Sequence, residues 1–140
     1  MVDRVNWSGG SPWEPLRGFS RAVQVGGHLY ISGITATDEH GNVHAAGEPY
    51  EQTRYVIDRI KAMLTVAGYT AEDVVRTRLA ITLVNRWEEY SRAHRETFES
   101  IRPASSMFQI ARLADPRLVI EMEVDAVLGC NLIGSRVVKI

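Results

Sequence analysis

Cysteine is almost missing from this chain. Cys130 is the single one, so no internal disulfide can form, no cysteine-based zinc cluster can be built, and the composition suits a reducing, cytoplasmic setting. Long hydrophobic runs are also lacking. The opening MVDRVNWSGG has no apolar stretch of the signal-peptide kind. No segment approaches the ~20 apolar residues that cross a bilayer, so a soluble protein without a membrane partner is expected. An excess of one charge is absent too: sixteen Lys and Arg oppose seventeen Asp and Glu, for a net charge of -1. That balance argues against nucleic acid as a partner, because broad phosphate binding needs concentrated positive charge. Neither GxGxxG nor GxxxxGK[ST] occurs, HExxH is missing, and so is GxSxG, so no nucleotide, metal or other cofactor is expected. The chain of 140 residues fits one domain.

What is present is an acidic strand. In VIEMEVDAVL, from Val119 to Leu128, Glu121, Glu123 and Asp125 share one parity, while Ile120, Met122, Val124, Ala126 and Leu128 share the other. Neighbouring carboxylates repel, so their face must be solvated, paired with arginines or used in a polar interface or cleft.

The other segments supply partners for that strand. Gly9, Gly10, Pro12, Pro15 and Gly18 make residues 1–18 read as an irregular arm, with Trp7 and Trp13 capping an apolar surface of this subunit or of a partner. Phe19 to Val25, the turn Gly26-Gly27 and HLYISGIT read as a hairpin, with Gly33 marking a bulge or a close backbone approach. Pro49 opens a helix whose stripe is Val56, Ile57, Ile60, Met63, Leu64 and Ala67, and Gly68 stops it. Thr70 and Asp73 form a capping box before VVRTRLAITLV, where Val75, Thr77, Leu79, Ile81 and Leu83 share a parity opposite Arg76 and Arg78. A second helix, capped by Asn85 with Glu88, carries Trp87, Tyr90, His94 and Phe98 at helical spacing. Arg102-Pro103 ends it before the strand SMFQIARL. The order is ββαβαββ, an α+β fold with both helices packed on one sheet face. Leu79, Ile81, Phe108, Ile110, Met122 and Val124 are expected on the covered side, and a homo-oligomer could close the other. Residues 129–140 read as a tail or short edge strand.

Few side chains suggest chemistry. Glu121 is a candidate general acid or base, or else a surface or interface carboxylate. Arg21 shares strand parity with Phe19, and the pair could hold a carboxylate bidentately beside an apolar wall, unless Arg21 links to one of the three acids for structural reasons. Ser32-Gly33 and Ser105-Ser106 could orient an oxygen through hydroxyls and amides, with no triad to activate a serine. His94 lies on an apolar stripe and reads as packing. Cys130 has no visible base beside it.

Taken in order, FSRAVQVGGHLYISG, EQTRYVIDRIKAMLTVAG, DVVRTRLAITLV, RPASSMFQIARL and VIEMEVDAV resemble the RidA (YjgF/YER057c/UK114) family, over Phe19 to about Val127. The resemblance implies a fold like the small trimeric chorismate mutases and a homotrimer with three clefts between subunits. Characterised members hydrolyse small enamines and imines derived from amino acids to a carbonyl compound and ammonia. Carried onto this chain, it puts the water-handling carboxylate at Glu121, backbone and hydroxyl contacts at Ser32 and Gly33, and an aromatic wall at Phe19. The chain also departs from the family. Where the active form reads RPARS, this chain reads RPASS, so Ser105 replaces the arginine that grips the substrate carboxylate. Losing such a partner costs roughly 2–5 kcal/mol of recognition. Phe19 stands for a common tyrosine, Arg21 for a glutamine and Met107 for a cysteine, marking a divergent subgroup in which Arg21 is the candidate replacement charge. The resemblance leaves open a noncatalytic small-molecule-binding or regulatory trimer, and more remotely an endoribonuclease.

Overall fold

Strand alternation and helical periodicity place one apolar layer between a sheet and two helices. A computed structural model describes residues 1–130 and 136–140. It runs β1 (Arg4–Trp7), α1 (Trp13–Arg17), β2 (Ala22–Val25), β3 (His28–Thr35), α2 (Pro49–Val66), β4 (Val74–Ile81), α3 (Trp87–Phe98), β5 (Ala104–Gln109) and β6 (Ile120–Val127). The six strands form one mixed sheet in the order β1-β2-β3-β6-β4-β5. Among the described residues only β4 and β5 pair in parallel, as the α3 crossover between them requires. The fold is α+β with its helices on one face, and β6 lies at the centre between β3 and β4.

The core is built from the parities that the sequence displays. Met122, Val124 and Ala126 of β6 meet Leu79 and Ile81 of β4, Leu29 and Ile31 of β3, and Val56, Ile57, Ile60 and Leu64 of α2. Each large aliphatic side chain buried there contributes about 1.5–3 kcal/mol. Gln52 of α2 is fully buried and ties the loops around it together. Its Nε2 donates to the carbonyl oxygens of His44 (3.1 Å), Ala45 (3.2 Å) and Arg117 (2.9 Å), while its Oε1 accepts the Val119 N–H at 2.9 Å. The last of these bonds fixes the chain two residues before Glu121.

Several expectations need correction. The arm is not irregular: β1 pairs antiparallel with β2, and α1 follows, closed by Gly18 in the left-handed region at φ 67°. A strand of four residues with only Trp7 half-buried carries too little apolar pattern to be read from sequence. Trp7 packs against the core, whereas Trp13 is exposed. Residues 131–135 of the expected tail lie outside the described residues, and 136–140 have no regular structure. Asn85 does not cap α3. It sits within a single-turn helix at Val84–Arg86, and the helix start is held by Arg86 bonding Glu89. Trp87 is exposed, and Ala93 joins Tyr90 and Phe98 in the buried stripe. Phe108 is also exposed, because the parallel register sets Met107 beside Leu79 and Phe108 beside Ala80, on the uncovered side. A bulge in β4 between Val74 and Arg76 gives Val74 the core position expected for Val75.

Candidate functional site

The acidic face of β6 is not uniform, because its neighbours treat the three carboxylates differently. Opposite Glu123 stands Arg78, whose Nε lies 2.8 Å from the carboxylate. Asp125 lies 3.8 Å from Arg78 and 3.7 Å from Arg76. Both acids therefore have β4 arginines to balance them. Glu121 has Ala80 on one side and Thr35 on the other. Among the described residues it forms no ion pair. Burial pushes its carboxyl above the usual value, the charge on Glu123 pushes it further, and Arg21 and Arg17 pull it back.

A bulge in β3 makes room for Glu121. Between Ile31 and Ile34 the strand carries one residue more than β6 does between Val124 and Met122, so the core parity switches from Leu29 and Ile31 to Ile34 and Ala36. Gly33 lies in this bulge. A Cβ there would stand 2.8 Å from Cγ and 2.6 Å from Cδ of Glu121, inside the carboxyl group, so only glycine leaves the space that Glu121 occupies.

Arg21 reaches the same bulge from the start of β2. Its Nη1 donates to the Gly33 carbonyl at 2.8 Å and to Ser32 Oγ at 3.3 Å, and Ser32 Oγ donates back to the Arg21 carbonyl at 3.0 Å. Glu14 of α1, which is buried, lies close enough to influence the charge of Arg21 without forming an ion pair. Hydrogen bonds from Ser8 and from the Gly9 and Ser11 amides, with Arg21 nearby, hold its carboxyl below the usual value. Gly9 donates its N–H to Glu14 Oε1 at 2.8 Å, and a Cβ at Gly9 would crowd Arg21 Nε at 3.2 Å. Two cations lie over the Phe19 ring, the Arg17 guanidinium 5.0 Å and that of Arg21 6.0 Å from its centroid. Phe19, Arg21, Ser32, Gly33 and Glu121 are thus gathered in one place, joined by Glu14 and Arg17, which sequence reasoning passed over. The only signal for those two was WEPLR inside a stretch read as irregular.

Ser105 and Met107 are not gathered there. They lie on the edge strand β5, two strands from β6, with the parity of the helix-covered face. Met107 packs against the core. Ser105 Oγ accepts from the buried Thr77 hydroxyl at 2.8 Å, and Thr77 Oγ1 is 2.9 Å from His94 Nε2. Burial holds His94 below the usual imidazole value. Two surface depressions, of about 350 and 560 Å³, are lined by His94, Phe98 and Arg102 and by Asp38, Tyr55 and Arg59, respectively, and neither includes Glu121. Within one chain, then, Glu121 opens onto the uncovered sheet face. Among the described residues no cluster of His, Cys, Asp and Glu could hold a metal ion, and no helix is long and apolar enough to cross a membrane.

Comparison with known proteins decides the family. The family model described as Endoribonuclease L-PSP matches residues 10–128. The chain belongs to the YjgF/YER057c/UK114 (RidA) family. A RutC family protein of Saccharolobus solfataricus is 32% identical over 114 residues, covering 81% of this chain and 89% of that protein. An uncharacterized protein of Streptomyces coelicolor is 33% identical over 120 residues, 86% of this chain and 89% of its own length. The crystal structure of a Mycobacterium tuberculosis member of the YjgF/YER057c/UK114 family superposes with a TM-score of 0.80 at 36% identity, covering 90% of this chain and all of that one. The match to the RidA family model starts at residue 10 and so takes in α1, with Glu14 and Arg17, as well as the sheet.

Proposed function

We propose that the protein hydrolyses a small imine or enamine to a carbonyl compound and ammonia, with Glu121 as the proton-transferring group. The observation that carries this is the state of Glu121: a half-buried carboxylate without a salt-bridge partner among the described residues, raised in pKa and fitted against the Gly33 bulge. A carboxyl tuned upward can take and return protons near neutral pH. Glu121 accepts a proton from water as the oxygen bonds to the C=N carbon. The resulting carbinolamine regains that proton on nitrogen, and as the C–N bond breaks Glu121 takes the hydroxyl proton, so that the carbonyl forms and ammonia leaves. An enamine is first protonated at carbon to give the iminium. Arg21 and Ser32 hold the bulge backbone, and Phe19 forms the wall.

In this reading the chain assembles as a cytoplasmic homotrimer, so that the edge strand β5 of one subunit, which carries Ser105 and Met107, borders a cleft containing the Glu121 of another. Support comes from the open sheet face, where Tyr30 and Phe108 are each 48% exposed. A noncatalytic ligand-binding trimer is the rival, favoured by the serine at position 105, whose hydroxyl offers no charge. An RNA-cleaving activity finds less support, since Arg76 and Arg78 on the open face are already matched by Asp125 and Glu123. The test is ammonia release from a panel of imines generated in situ from amino acids by an amino-acid oxidase. Release above the enzyme-free rate supports hydrolysis; binding of the carbonyl products with no release across the panel supports the rival.

A further inference from the structure

The depression of about 350 Å³ at the end of α3 has no part in the chemistry of Glu121. It lies on the helix-covered side of the sheet, because His94 in its wall meets the hydroxyl of the core-facing Thr77. Its inner surface is aromatic: the His94 and Phe98 rings are 4.7 Å apart and tilted by 36°, and Phe98 is buried. Half-buried Pro103 extends the apolar wall, and Arg95, Glu99 and Arg102 are exposed around it. Among the described residues none of these three charged groups forms an ion pair, although they line one small space. Arg102 also holds a strained backbone. Its φ of 54° is left-handed, and its N–H closes α3 on the Phe98 carbonyl at 2.8 Å, a position that glycine fills without strain. The turn alone does not call for an arginine, so the side chain is the reason for the residue. The Ile101 N–H bonds the same carbonyl at 3.1 Å, so the negative end of α3 is capped where the depression opens.

We propose that this depression is a second ligand site, separate from the surroundings of Glu121, and that it takes small aromatic monocarboxylates. Two guanidinium groups and one carboxylate leave the lining with a single positive charge, since burial keeps His94 neutral at neutral pH. One negative charge on the ligand balances it, whereas a doubly charged phosphate ester would leave an excess. The planar forks of Arg95 and Arg102 suit a carboxylate, and a flat ring packs against His94 and Phe98. The volume lies at the lower end for small-molecule sites and fits a ligand of one or two rings.

The test follows the His94 imidazole by NMR in the full chain with labelled histidine, the signal being assigned from its loss in His94→Gln. The protein is titrated with 2-naphthoate and with its uncharged analogue 2-naphthamide. 2-Naphthoate is expected to shift the His94 signal saturably and to bind about ten-fold or more tightly than 2-naphthamide, the scale of a charge-assisted hydrogen bond. Arg95→Gln and Arg102→Gly should each weaken 2-naphthoate by about ten-fold and leave 2-naphthamide within about two-fold. Arg102→Gly should also melt no lower than the wild type, because glycine accepts the left-handed backbone, and this separates loss of binding from loss of fold. The proposal is overturned by the absence of a saturable His94 shift, by equal binding of the two compounds to the wild type, or by 2-naphthoate affinity unchanged in both variants. A lower melting temperature in Arg102→Gly would assign the arginine to the fold and overturn it as well.

Discussion

Glu121 and His94 are both burdened by burial, with opposite consequences for pH. The folded-state pKa of Glu121 lies above the ordinary 4.5, so its contribution to stability is full below that value and is lost as pH rises through the raised one. Above that raised value its ionised form weakens the fold. Glu121→Gln should therefore melt at or above the wild-type temperature near neutral pH, with the difference vanishing below the ordinary carboxylate value. A calorimetric pH series checks this, and a variant less stable at neutral pH would show that the carboxylate is held by favourable contacts. His94 is held below its ordinary 6.5, so the stability it contributes is present above that value and is lost as pH falls through the depressed one. Its Nε2 lies 2.9 Å from the Thr77 hydroxyl. Acidification from neutral pH should lower the melting temperature, and His94→Gln should flatten that slope.

At the scale of elements, the bulge in β3 sets the site. It switches the strand's parity and lets Gly33 pass beneath the Glu121 carboxyl. Gly33→Ala should force that carboxyl from its place, with little loss of stability because the atoms displaced end a flexible, half-buried side chain, and with a fall in any activity that depends on Glu121. Thermal melts read alongside ammonia assays check this, and a Gly33→Ala protein indistinguishable from wild type would contradict the placement. Much of the element structure was legible, for physical reasons. Gly33 stood out because a glycine inside a strand leaves a gap, and the helix beginning at Pro49 showed because its stripe repeats over several turns. β1 was illegible because its four residues are almost all exposed. The start of α3 differs from the expectation because Asn85 is taken up in the single-turn helix before it, and α3 opens with no side-chain cap. The site was only partly legible. Parity set Glu121 apart from the core, but its difference from Glu123 and Asp125 arises from which β4 side chain lies opposite, and cross-strand register cannot be read from one strand.

For the whole molecule, the open sheet face decides what the protein is in solution. Its centre is a lattice of Arg76, Arg78, Glu123 and Asp125, and Tyr30 and Phe108 lie exposed on the same face. Burial of that face between copies would enclose Glu121, which a single chain leaves open, in a cleft that admits a substrate and one attacking water. The wild type should sediment as a trimer, and Phe108→Lys should shift it toward monomer by placing an unpaired charge in the interface. A monomeric wild type would leave Ser105 and Met107 outside the site. The account rests most heavily on proton transfer by Glu121, and the most direct measurement is ammonia release from one imino acid by wild type and Glu121→Gln side by side. The wild type should exceed the enzyme-free rate, and Glu121→Gln should lose about a hundred-fold or more of the enzymatic increment, as expected for removal of a general acid–base group. Equal rates for the two proteins would contradict it.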